Sequence, residues 1–89
     1  MSSYFLTFAS THAALACEKA CNDLNEKGSL VPIPSDIRAG CGMGLLVYGG
    51  SDEEVLSFAY ALREEAKVGN LLEEVYAKTE NDFHALHLQ

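Results

Sequence analysis

Two stretches with helical spacing alternate with four runs of β-forming residues, and their order constrains this chain more than any single residue does. Ala13, Cys17, Ala20, Cys21 and Leu24 make one apolar stripe; Val55, Phe58, Ala59, Leu62 and Ala66 make another. Ser10 or Thr11 can cap the first, which is read as a helix over residues 11–27 with Gly28 just past its end. Ser51-Asp52-Glu53-Glu54 is a capping box for the second, with acids in the first turn to suit the helix dipole, and Gly69-Asn70 stop it. Residues 4–9 are aromatic and β-rich, apolar on both faces, and so predict a central strand. Residues 29–34 alternate apolar residues with Pro32 and Pro34, which cannot donate to a ladder, and so predict an edge strand. Residues 41–48 and 71–78 supply the third and fourth strands.

The resulting order, βαββαβ in 89 residues, fits a single α+β domain, because a chain this short supports one core. Within one domain it predicts a ferredoxin-like sandwich over residues 1–78, with a tail over 79–89 that is either a docked helical turn or frayed. The expected sheet is antiparallel and four-stranded, in order 4-1-3-2, with strands one and three parallel at its centre and both helices on one face. In that arrangement strand three begins where strand two ends and strand one begins. Ser10, Thr11 and His12 then belong to the opposite end. His84 and His87 of the tail would leave strand four at the end where strand three starts. The uncovered sheet face would carry Leu46 and Tyr48 with Phe5 or Leu6 nearby, an apolar patch suited to a homodimer or a partner protein.

Charge narrows the partners. Thirteen acidic residues against six basic ones give a net charge of −7, which argues against nucleic acid and anionic membrane surfaces. No apolar run has the length of a membrane-spanning helix. The N-terminal Met1-Ser2-Ser3-Tyr4 lacks a basic region, so export is not expected. Three cysteines, an odd number, then point to a reducing cytoplasm rather than a disulfide framework.

Each cysteine therefore needs its own account. Cys41 stands between Gly40 and Gly42, which remove neighbouring Cβ atoms and permit close approach, and Arg38 is the nearest cation in sequence. The competing reading makes Cys41 the first residue of a buried strand, with the glycines forming a bulge. Cys17 and Cys21, four apart, lie on the apolar helix face and read first as small core residues. With His12 they form a metal-binding alternative that lacks a fourth ligand at standard spacing. His12 otherwise packs or caps at the helix start, where Ser10 and Thr11 with the free amides could also hold an anion. Gly40-x-Gly42-x-Gly44 precedes a strand and is not a dinucleotide fingerprint. Gly49-Gly50-Ser51 is followed by three acids that would repel a phosphate. Glu64-Glu65 and Glu73-Glu74 read as solvated faces.

Thr7-Phe8-Ala9-Ser10-Thr11-His12-Ala13, then Glu18-Lys19, Ile33-Pro34 and Ala39-Gly40-Cys41-Gly42-Met43-Gly44-Leu45, resemble the selenium/sulfur carrier protein-like family, a set of small bacterial domains, over roughly residues 4 to 78. The chain departs from the family's pattern at Ser35, where a basic residue is expected; Arg38 is the nearest substitute. The resemblance implies a carrier rather than a turnover enzyme. Cys41 would hold a persulfide or selenosulfide between a donor and an acceptor protein, with no cofactor. The alternative of a different class is a small-ligand-binding regulatory or dimerisation module without a reactive cysteine, since this fold hosts many functions.

Overall fold

The computed structural model describes residues 2–24, 28–34, 37, 42–80 and 82–88. Strand β1 (Ser2–Phe8) leads into helix α1 (Thr11–Asp23), followed by β2 (Gly28–Pro32), β3 (Met43–Gly49), α2 (Asp52–Glu65), a 3-10 turn (Gly69–Leu71), β4 (Leu72–Lys78) and β5 (Phe83–Ala85). The five strands form one antiparallel sheet in the order β2-β3-β1-β4-β5. The α+β class with two helices is as expected, whereas the sheet has five strands instead of four. The fifth comes from the expected tail, which forms neither a helical turn nor a frayed end: Phe83, His84 and Ala85 pair with Lys78, Ala77 and Tyr76.

β1 is central and β2 lies at the edge, as aromatic and proline content respectively dictate. Tyr4, Leu6 and Phe8 of β1 alternate onto the face covered by both helices, with Leu45 and Val47 of β3. Cys17, Ala20 and Cys21 of α1 and Val55, Ala59 and Leu62 of α2 close this core. In β4 a bulge opposite Thr7 and Phe8 takes up Glu73 as an extra residue. It returns Leu72 to the core face, where strict alternation would have put an acid.

Helix α1 ends at Asp23, earlier than its apolar stripe suggests, because Leu24 has left helical geometry (φ −91°, ψ 6°) and is exposed. Gly28 is consequently no helix terminator; it opens β2 opposite Val47.

The largest correction concerns direction. β1 and β3 are antiparallel, with Ser2 opposite Gly49 and Thr7 opposite Gly44. Strand β3 therefore starts where β1 ends, not where it begins. One end of the sheet gathers the start of α1, the end of β2, the start of β3 and the start of β4. The opposite end gathers Gly49, the start of α2 and the turn after Lys78.

On the face away from the helices, the expected apolar patch is reduced. Leu6 points into the helix-covered core, and Phe5 is only 2% exposed. The Phe5 ring lies over Gly44, whose missing side chain makes the room, and Phe83 meets it edge-on at 6.2 Å. Tyr48, at 60% exposure, and half-buried Leu46 remain accessible.

Candidate functional site

Ser10 is the cap of α1: in extended geometry, its Oγ accepts the Ala13 N–H at 3.2 Å. Thr11 and His12 follow in the first turn, both exposed. No acidic residue occupies that turn, so no side chain of the turn itself offsets the positive end of the helix dipole. Helix α2 is built the opposite way. Its cap, Ser51, accepts the Glu54 N–H at 3.2 Å, and Asp52, Glu53 and Glu54 fill its first turn. The two helix starts stand at opposite ends of the sheet, and of the two first turns the acid-free one of α1 is the better suited to an anion.

Gly42 belongs to the α1 end. Its carbonyl accepts the Ile33 N–H at 3.1 Å, extending the β2–β3 pairing by one step. Gly42 is exposed, and no described atom stands within 4 Å of where its Cβ would be. Gly44, two residues on, is a glycine because Phe5 crosses it. The two glycines thus differ: packing within the sheet demands Gly44, whereas none of the described residues crowds Gly42. Cys41, Gly40 and Arg38, with Ser35, lie outside the described residues.

The expected separation of His12 from the start of β3 is overturned. The antiparallel β1–β3 pairing brings Ser10, Thr11 and His12 to the end where Gly42 stands. The tail, expected to leave β4 at the end where β3 starts, leaves it at the other end. β4 ends beside Ser3, at the far end, and β5 runs back along the outer side of β4. His84 pairs with Ala77, and His87 sits beside Glu74, with β1 and β4 between this segment and β3.

Cys17 and Cys21 are buried in the helix–sheet core, at 0% and 1% exposure. Burial, with a smaller contribution from neighbouring Cys21, pushes the Cys17 thiol up to about 12. A thiol so placed stays protonated at neutral pH and is a poor nucleophile. His12, at the surface, does not share their environment. Among the described residues, no group of three His, Cys, Asp or Glu side chains is placed to hold a metal ion.

A cavity of about 280 Å³ lies at the opposite end, lined by Val47, Tyr48, Gly49, Glu54, Val55 and Phe58. The pairing of a small cavity with an acidic helix start was not legible in the capping-box pattern, which reports only local geometry. No described helix is long and apolar enough to cross a membrane.

A family model described as Putative Se/S carrier protein-like matches residues 3–61, from β1 through most of α2. No curated protein matches the chain, and no solved structure does.

Proposed function

This chain belongs to the Se/S carrier protein-like family, and from that premise we propose that Cys41 carries sulfur or selenium between a donor and an acceptor protein. The observation that carries the reading is the antiparallel pairing of β1 with β3, which brings the start of α1, with no acid in its first turn, to the end of the sheet where β3 begins. A helix N-terminus favours a thiolate over a thiol, and the residue bonded to Cys41, Gly42, is open to approach. The other two cysteines support the assignment by their burial. Gly40 and Gly42 give access, and Arg38 with the α1 start favours the anion. The βαββαβ portion, ordered β2-β3-β1-β4, is read as a ferredoxin-like sandwich to which β5 is added.

The transfer is an exchange without net oxidation. The Cys41 thiolate attacks the outer sulfur of a donor persulfide, R–S–SH. A new S–S bond forms, the donor's own S–S bond breaks, and the donor leaves as RS⁻. The proton stays on the outer sulfur of Cys41–S–SH. An acceptor thiolate later takes that sulfur the same way, and selenium in the outer position follows the same path. This is carriage, not turnover, and needs no cofactor. A reducing cytoplasm keeps such a thiol available. Tyr48 and Leu46 on the open face offer a place for the donor or for a second copy.

Incubation of the protein with a persulfide donor, followed by intact-mass measurement, tests the proposal. A one-sulfur adduct is expected on the unmodified protein and not on Cys41→Ser; an adduct that persists in the variant overturns it. The cavity beside Glu54 favours a second reading, a module that binds a small cationic ligand at the other end of the sheet. That reading predicts that Cys41→Ser retains full function.

A further inference from the structure

The fifth strand is held in place differently from the other four. Its ladder against β4 has three residue pairs and ends at Tyr76 and Ala85. One step further, the Leu86 N–H donates to the Val75 carbonyl at 2.8 Å. Beyond that a side chain takes over. The Glu74 Oε1 accepts the Leu88 N–H at 2.8 Å and the Val75 N–H at 3.0 Å. One carboxylate oxygen thus closes the end of the ladder on both strands.

The other end of the segment is tied by one backbone bond and one side-chain bond. The Asp82 carbonyl accepts the Thr79 N–H at 2.9 Å, and the Asp82 Oδ1 accepts the Phe83 N–H at 2.8 Å. Between the ties, Phe83 packs edge-on against Phe5, while Leu86 and Leu88 rest half-buried against the main core. Asp82, His84 and His87 face solvent, and His87 adopts a positive φ of 57°, a conformation that non-glycine residues disfavour. The segment therefore combines few backbone bonds, two local fastenings and a strained residue. Those are the properties of an element that opens before the rest of a fold.

We infer that residues 83–88 form a strap, latched by Glu74, that leaves the β4 edge and returns as one unit while the other four strands stay paired. Opening uncovers Phe5 on the open face and the outer edge of β4, a seven-residue strand with unpaired backbone groups. The strap is thus an internal guard over an edge that is otherwise prone to pair with another chain. It lies beyond the residues matched by the family model and does not depend on the chemistry of Cys41.

Amide hydrogen exchange of the full chain, read by NMR, tests this. The Leu86 and Leu88 amides are expected to share one opening equilibrium and to exchange at least roughly tenfold faster than the amide of Leu6 in the central strand. Glu74→Gln, which keeps an acceptor oxygen but removes its charge, is expected to speed both strap amides roughly five- to tenfold and leave Leu6 unchanged. Phe83→Ala is expected to speed the same pair. A response at Leu88 alone would mean end fraying and overturns the strap. Exchange of Leu86 and Leu88 at the Leu6 rate would mean that the strap opens only with the whole fold, and overturns it as well.

Discussion

Thr7 and Gly44 stand opposite each other on antiparallel strands, and that pairing decides which loops meet. Four residues beyond Thr7, helix α1 begins; two residues before Gly44, the chain is at Gly42. The first residues of α1, Thr11 and His12, and Gly42 therefore share one end of the sheet although some thirty residues separate them. Parallel strands would have sent them to opposite ends.

Thiol reactivity follows from this geometry. Alkylation near pH 7 is expected to show one fast cysteine, absent in Cys41→Ser, and two slow ones that react only when the core opens. The slow pair is Cys17 and Cys21, both buried. Placing an acid at the start of α1 by Thr11→Glu is expected to slow the fast thiol roughly two- to fivefold, by opposing the helix dipole. Ser57→Glu, at another exposed site, on α2, serves as the control and is expected to change little. Equal slowing by both would attribute the effect to net charge instead.

The Phe5–Gly44 contact makes a stability prediction. A Cβ on residue 44 would overlap the Phe5 ring, so Gly44→Ala forces a buried aromatic out of place. The expected loss is about 2 kcal/mol, in the range of overpacked cores. Phe5→Leu alone loses ring contacts, but in combination with Gly44→Ala it relieves the clash. A double-mutant cycle in urea should therefore show a favourable coupling of roughly 1 kcal/mol or more. Simple additivity would mean that the ring does not cross residue 44.

How much of this was readable in the residues varies by element. The Ser51 capping box and the proline edge strand were legible because they rest on local chemistry: a hydroxyl three residues before an acid, and a missing N–H. The stripes Ala13–Cys17–Ala20–Cys21 and Val55–Ala59–Leu62 were legible because burial repeats with the helical turn. Strand direction was not. The apolar pattern of residues 41–48 is the same whichever way the strand points, and a wrong direction moved His12 to the wrong end. β5 was also hidden, since Phe83-His84-Ala85 is too short to show alternation. Its place depends on Glu74 and Phe5, which are distant in sequence. The bulge at Glu73 escaped for the same reason: only its partners Thr7 and Phe8 reveal it.

The Ser51 cap offers a quantitative check on α2. Its Oγ accepts the Glu54 N–H at 3.2 Å and donates to the Glu54 Oε1 at 3.2 Å. Ser51→Ala is expected to cost about 1 kcal/mol in chemical denaturation. Ser51→Asp should restore most of the cap bond, but it adds a charge beside Asp52, Glu53 and Glu54. Recovery is therefore expected to be fuller in high salt, where like-charge repulsion is screened. A variant indistinguishable from the original would mean that the first turn does not depend on this hydroxyl.

Alkaline stability tests the environment of Cys17. The folded protein holds this thiol protonated up to about 12, from an ordinary value of 9.0, chiefly through burial. Between those values the unfolded chain releases the proton and the folded chain keeps it, so the unfolded state gains and stability falls as pH rises. The full contribution is present below pH 9 and is lost progressively toward pH 12, with a limiting slope of about 1.4 kcal/mol per pH unit from this group. Cys17→Ala removes the group and should flatten that part of the pH profile, while costing some stability at pH 7 through the lost sulfur contacts. Urea midpoints at pH 7, 9 and 10.5 for both proteins measure the difference. An unchanged slope in Cys17→Ala would mean that Cys17 ionises as freely in the folded protein as in the unfolded chain, and would remove the ground for counting it out as the carrier.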